Sequence, residues 1–281
     1  MNASPGCVAI YNKRVKRYVR DFQIALERIE LVTPSTNTTH DQTTLELARS
    51  YLDILSAHDL KEIFNGAPDL SGLFLSSVPS QFSDATHRLM VVGMETKQWR
   101  DKSCPFKNGE VNTLQKVIES MAVHSRCFDR PAGRHRFLQF LNQVKKLTRA
   151  RLPESEVAVV WANLFCVSDA GKTPTRTPTF AAIKVLSASL LRAQIKVVDP
   201  DVILFTTGAA YDAYLRDCFP DRTESTVIEP KCLWQFRLGR TVCYRTSHPR
   251  YVAHNRWRSH ALDLACRHLA SDTALSAFDD R

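Results

Sequence analysis

Short apolar runs that stop at a glycine or a polar residue, with helix-periodic stretches between them, leave this chain few folds to adopt. Arg88-Leu-Met-Val-Val-Gly93, Val157-Ala-Val-Val-Trp-Ala-Asn163 and Val202-Ile-Leu-Phe-Thr-Thr207 are brief and rich in β-branched residues, so they read as buried strands. The third is introduced by Asp199-Pro200-Asp201 and closed by Gly208. Trp234 to Leu238 and Val242 to Thr246 form a further pair of strands around Leu238-Gly239-Arg240. Helical patterns fill roughly 111–126, 136–150, 178–198, 209–218 and 252–270. Strands alternating with helices predict an α/β layered fold with a largely parallel sheet. Ligands of such sheets sit outside the carboxyl ends of the strands. Gly93, Asn163, Gly208 and His248 all lie at or just beyond such ends, which points to one shared cleft.

The chain ahead of the first strand is patterned differently. Lys13, Arg14, Lys16, Arg17 and Arg20 crowd the stretch from Asn12, and Pro34 to His40 reads as a polar loop or linker. A helix is predicted from about Thr43, with Leu45, Leu47, Tyr51, Leu52, Ile54 and Leu55 at helical spacing. A second short segment ends at Ile63 and Phe64, and residues 66–87, with Gly66, Pro68, Gly72 and Pro79, read as loop. A helical or irregular extension over residues 1–85, followed by an α/β domain over 86–281, is therefore expected.

Composition narrows the partners. At 281 residues and 44% hydrophobic, the chain can bury a sizeable core, so a disordered or fibrous protein is excluded. No apolar run reaches about 18 residues, so no membrane-spanning helix is expected. The first 30 residues lack an apolar core, so no secretory leader is expected and a cytoplasmic protein is. Lys and Arg outnumber Asp and Glu by 38 to 29, a field that favours a polyanion. The eight cysteines are scattered and read as reduced thiols. Arg134, Arg136, Lys145, Lys146, Arg149 and Arg151 could track phosphates, while Phe137, Leu138, Phe140, Leu141 and Leu147 turn inward.

Three polar residues terminate apolar strands: Glu95, Asn163 and His248. Singly, each has an ordinary explanation: a helix-capping carboxylate, a turn amide and a surface imidazole. Their order and strand contexts together are more specific. The chain resembles the uracil-DNA glycosylase superfamily over about residues 86–265. Gly93-Met94-Glu95-Thr96-Lys97 matches the superfamily's Gly-Gln-Asp-Pro-Tyr strand end or its relatives. Val159-Val-Trp-Ala-Asn163 matches its Asn-terminated strand, and Val202 to Gly208 followed by Ala209-Ala-Tyr211 matches a later strand and helix. His248-Pro249-Arg250-Tyr251 matches its His-Pro-Ser-Pro motif.

The resemblance implies a three-layer α/β/α fold with a mostly parallel central sheet and a helical N-terminal addition, and a DNA glycosylase acting on a flipped pyrimidine. Glu95 would stabilise the cationic sugar and position water, and His248 would stabilise the departing base's negative charge. Asn163 would read the base edge. Phe106 is the candidate for stacking on the base, with Trp99 second; Met94 and Lys97 line the base site. Arg250 or Tyr251 would act as wedge or phosphate contact, and Lys172 and Arg176 would reach phosphates from a polar loop that opens near Asp169. Gly208, at the end of the third strand, joins the expected DNA-binding residues.

The departures have consequences. Lys97 stands where the uracil-specific branch has a Tyr that blocks the pyrimidine C5 position. An open C5 side would admit a bulky C5 substituent of the kind found in some viral DNAs, and with it a defence role. Met94 replaces Gln and Arg250 replaces Ser. A non-catalytic DNA-binding member of the same fold is the alternative.

Other constellations fail on spacing. Gly171-Lys172-Thr173 suggests a phosphate-binding loop, but the pattern's first Gly would fall at Cys166. Some superfamily branches hold a four-Cys iron–sulfur cluster; no Cys-x-x-Cys pair exists here, so neither a cluster nor zinc is expected. His248, His254 and His260 recur every six residues and cannot share one helix face.

Overall fold

The computed structural model describes residues 37–97, 99, 113–128 and 132–279; Phe106 lies outside them. Six strands form one sheet: β1 (His87–Gly93), β2 (Val157–Asn163), β3 (Val202–Phe205), β4 (Thr223–Glu229), β5 (Leu233–Leu238) and β6 (Thr241–Arg245). Their order is β2-β1-β3-β6-β5-β4. The first four neighbours run parallel, and β4 and β5 extend the sheet antiparallel through β6. Leu89 to Val92 of β1 are fully buried, as a central strand covered on both faces requires. Each such side chain contributes about 1.5–3 kcal/mol by leaving water.

Period-2 alternation sorts the strand residues between the two faces. Leu89, Val91, Val159, Trp161, Val202, Leu204, Val242 and Tyr244 pack against α4 (Arg136–Arg151) and α7 (Asn255–Asp279). Met90, Val92, Ala158, Val160, Ile203, Phe205 and Cys243 pack against α5 (Phe180–Val198) and α6 (Asp212–Cys218). The three-layer architecture is thus present. A third apolar cluster joins α1 (Asn37–Ser56), α2 (Leu60–Asn65) and α3 (Leu114–Phe128) to the outer side of α5 through Leu47, Tyr51, Leu55, Ile63, Val117, Met121, Ile183 and Leu186.

Several details depart from the sequence expectations. Helix α1 begins at Asn37, inside the stretch expected to be a polar linker, because backbone helix propagates through residues that carry no apolar period. Residues 66–79 lack regular structure, yet Leu70, Leu73, Phe74 and Leu75 are buried. Their backbone is satisfied by the chain beyond β2, with Phe74 N–H donating to the Cys166 carbonyl (2.7 Å) and Ser71 N–H to that of Ser168 (2.7 Å). Strand β4 escapes sequence reading because it is an exposed, irregularly paired edge strand with no alternation.

The amino ends of β1, β3 and β6 are tied by one polar network. Arg88 N–H and Arg240 donate to opposite oxygens of Asp201 (2.8 Å each), and Arg240 also grips Asp199 (2.6 Å). At the opposite edge, β1 reaches β2 through α3 and then α4, which covers one face, whereas β2 reaches β3 through α5 on the other. Beyond the carboxyl ends of β1 and β2 the two segments stay joined for two more residues, Leu164 N–H donating to Gly93 O (2.9 Å) and Phe165 N–H to Met94 O (2.8 Å), before they turn to opposite faces. The ligand crevice of such a sheet lies outside these strand ends.

Candidate active site

Gly93 and Asn163 are register partners at the last rung of the β1–β2 ladder, on the face that carries Val91 and Trp161. A Cβ on Gly93 would lie 2.5 Å from Asn163 Oδ1 and 3.1 Å from Phe137 Cε2, so glycine here is what lets the amide lie across the strand end. Asn163 is 5% exposed. The indole N–H of Trp161 donates to its Oδ1 (3.1 Å), while its Nδ2 is buried without a partner among the described residues.

Glu95 follows two residues beyond Gly93 and is half-buried. Burial pushes its carboxyl above the usual range, and the Arg250 guanidinium pulls it back in part. Its Oε2 likewise lacks a partner among the described residues. Met94 is buried beside it, and Met94 O accepts from Phe165 N–H (2.8 Å); Lys97 is exposed.

His248 comes from the segment after β6. Arg250 N–H donates to its Nδ1 (3.2 Å), so the neutral ring carries its proton on Nε2. Burial, with the positive charges of Arg250, His135 and Arg258, brings its pKa down to about 4, so the ring is neutral at physiological pH. Phe137 of α4 stacks on it (centroids 6.4 Å, planes 21° apart) and also contacts Trp161 (5.3 Å), which links the His248 and Asn163 sides of the crevice. The third wall is Gly208, whose N–H donates to the Thr246 carbonyl (2.9 Å); its φ of +80° is left-handed and suits glycine. The Thr207 and Thr246 hydroxyls at these strand ends are also buried without partners among the described residues. Unsatisfied buried polar atoms are costly, and these four at the carboxyl ends of the strands are groups that a bound ligand would satisfy.

The other sequence candidates fall at different distances from this centre. Arg250 and Tyr251 lie on its rim; Tyr251 is 51% and Val252 63% exposed, an unusual pair of bare apolar side chains. Tyr211 is close enough to feel the charges of Glu95, Arg250 and Tyr251. Lys172 and Arg176 are exposed on the loop that places Thr173 beside Tyr211. Trp99 is buried against Phe74 (5.1 Å) and Trp161 (6.1 Å), and these contacts join it to the site through Trp161. Phe106, the first choice for stacking, is outside the described residues.

Three contributors were not anticipated. Strand alternation could have revealed Trp161, since residues 161 and 163 share a face. Phe137 lies on the inward face of its helix, as its apolar spacing predicts, and its second duty against His248 carries no sequence signal. Arg258 is 3% exposed and clamps the His248 segment, donating to Ser247 Oγ (2.9 Å), His248 O (3.2 Å), Tyr251 O (2.9 Å) and Asn255 Oδ1 (3.1 Å). In the sequence it is indistinguishable from its exposed neighbour Arg256.

Among the described residues no group of His, Cys, Asp and Glu is arranged to hold a metal ion, and no helix is long and apolar enough to cross a membrane. A groove of about 750 Å³ between α5 and α6, lined by Lys184, Arg192, Tyr214 and Asp217, also takes in Leu164 and Phe165, directly after Asn163, but its lining includes none of Glu95, Asn163 and His248.

A search of the curated proteins finds no match. Residues 65–270 match the family model of the uracil DNA glycosylase superfamily, whose members act on DNA. With nearly three quarters of its length matched, and with a mostly parallel sheet whose strand ends gather a carboxylate, an amide and a histidine, this chain belongs to the uracil DNA glycosylase superfamily.

Proposed function

We propose that the protein is a monofunctional DNA glycosylase that hydrolyses the N-glycosidic bond of a flipped pyrimidine and leaves an abasic site. The observation that carries this reading is the pairing, in one crevice, of two buried unpartnered groups, Glu95 Oε2 and Asn163 Nδ2, with a neutral His248. As the C1′–N bond breaks, its electron pair leaves with the base and the sugar becomes cationic. The Glu95 carboxylate stabilises that cation and accepts the proton of the water that adds to C1′. His248 Nε2–H donates to the base oxygen on which negative charge develops, a preorganised donor of the oxyanion-hole type. Asn163 Nδ2 supplies a second donor to the base edge. Tyr251 and Val252, bare at the rim, are placed to fill the stack vacated by the flipped nucleotide, with Arg250, Lys172 and Arg176 as phosphate contacts.

Uracil is the default base. Exposed Lys97, in the place of a blocking Tyr, favours pyrimidines with a C5 substituent, and that chemistry suits excision from viral DNA in the cytosol as well as repair. Extrusion of the base is required in either case, since the glycosidic bond is inaccessible in the stack. A non-catalytic DNA-binding role is the second reading, favoured by Met94 and Lys97 in place of the motif's Gln and Tyr.

The test is base release followed by alkaline scission across DNAs carrying uracil, mismatched thymine, and hydroxymethylated or glucosylated pyrimidines, with Glu95→Gln as control. Release that Glu95→Gln abolishes supports the glycosylase. Tight DNA binding with no release from any substrate supports the second reading.

A further inference from the structure

The Asn163 side chain has two ends, and the fold has already used one of them. Trp161 and Asn163 lie two residues apart on β2 and so on one face, with the indole N–H 3.1 Å from Oδ1. An N–H can donate only to the oxygen of an amide, never to its NH2. Turning the amide over would bring two donors together and strand the indole. Trp161 itself has little freedom to follow, being 6% exposed and wedged among Phe74 (5.2 Å), His124 (4.9 Å), Trp99 (6.1 Å) and Phe137 (5.3 Å). Its own carbonyl is held by the Ser76 hydroxyl (2.5 Å). Gly93 supplies the remaining constraint, because Oδ1 occupies the space that a side chain there would fill. What is left over is Nδ2, buried and without a partner among the described residues.

We propose that Trp161 is a specificity-determining positioning residue: by holding Oδ1 of the Asn163 amide on its indole it leaves only the NH2 for the base, so that the site accepts a base carbonyl and rejects an exocyclic amine. The proposal rests on the glycosylase reading and narrows it. Pyrimidines with an oxygen at C4 qualify whatever their C5 substituent, so uracil, thymine and C5-substituted uracils are substrates in kind. Cytosines, modified at C5 or not, place an NH2 against the NH2 of Asn163 and are disfavoured. A C5 side left open by Lys97 then selects substituted uracils rather than substituted cytosines.

The experiment compares wild type with Trp161→Phe, which keeps an aromatic ring in the cluster and removes the N–H. If that variant fails to fold, Trp161 is replaced by benzothienylalanine, which preserves the bicyclic shape and lacks the donor. Two ratios are read on each protein. The first is single-turnover release from matched duplexes containing uracil or cytosine. The second is the affinity for the same duplexes built with 2′-fluoroarabino nucleotides, whose glycosidic bonds resist cleavage. The wild type is expected to favour uracil in both, and loss of the N–H to lower the ratio by about 10-fold or more as the amide becomes free to turn. A merely structural role would depress both bases together and leave the ratio unchanged, which overturns the proposal. Equal wild-type affinities overturn it as well. Release with a ratio that ignores the N–H sinks this inference but leaves the glycosylase reading standing. Absence of release with an affinity ratio that depends on the N–H does the reverse.

Discussion

Gly93→Ala tests whether the crevice depends on one missing methyl group. The added Cβ would meet Asn163 Oδ1 at 2.5 Å and Phe137 Cε2 at 3.1 Å. Ordinary contact begins near 3.4 Å, so the amide must retreat by about 0.9 Å from the end of β1. A shift of that size takes Oδ1 out of reach of the Trp161 indole, now at 3.1 Å, and moves Nδ2 off its target. Misplacing a substrate-orienting group by about 1 Å costs on the order of 100-fold in rate. The stability cost is smaller: about 1–3 kcal/mol for overpacking, because an amide that can yield relieves most of the strain. Single-turnover base release from uracil-containing duplex, alongside thermal unfolding of both proteins, measures the two effects separately. A Gly93→Ala enzyme within about threefold of wild-type rate refutes the reasoning, since it would mean that Asn163 placement does not control the chemistry.

Other outcomes follow from the same geometry. Glu95→Gln should lower base release by at least about 100-fold while DNA affinity stays near wild type, read by single-turnover kinetics and fluorescence anisotropy. Because the carboxylate is the active form and burial raises its pKa, activity should fall as pH drops through a value above the usual glutamate range. Arg250→Ala should move that limb to higher pH, since it removes the charge that lowers the pKa. Arg258→Lys should not rescue what Arg258→Met loses, about 2–3 kcal/mol of stability together with base release, because an ammonium cannot span the oxygens that the guanidinium fork reaches. At Asp201, burial raises the pKa, but hydrogen bonds from His87, the Arg88 N–H and Arg240 outweigh it and bring it to about 2. Its folded pKa is depressed, so its contribution is present above about pH 4 and lost as pH falls toward 2. That contribution is at most about 2 kcal/mol, since Arg240 is largely exposed and solvent screens part of the interaction. Acid unfolding of Asp201→Asn should therefore be flatter than that of wild type below about pH 4.

The architecture was largely legible because burial leaves a periodic trace. Leu89 to Val92, Val157 to Ala162 and Val202 to Phe205 have to be apolar to lie in the middle of a covered sheet, and helices must present one apolar stripe. Strand endings were legible for a related reason, since Gly93, Asn163, Gly208 and His248 each interrupt an apolar run where the backbone leaves the core. The reading failed where structure leaves no such trace. Strand β4 is held by its neighbour's backbone rather than by a buried face. Residues Leu70 to Leu75 are buried without regular structure, so their period is neither 2 nor 3.6.

The chemistry at the site divides along the same line. Local sequence determined which residue types end the strands, and so placed Glu95, Asn163 and His248 at one edge before any coordinates. Only the tertiary structure decided how those side chains are held: the neutral tautomer that Arg250 N–H imposes on His248, the Phe137 ring against it, the Arg258 clamp and the Trp161 bond that orients Asn163. Apart from Trp161, which strand alternation could have placed beside Asn163, and the Arg250 N–H two residues beyond His248, these partners have no fixed spacing from the residues they serve. A hydrogen bond or a ring contact between separate elements depends on how strands and helices pack. Apolar periodicity records only which way each element faces.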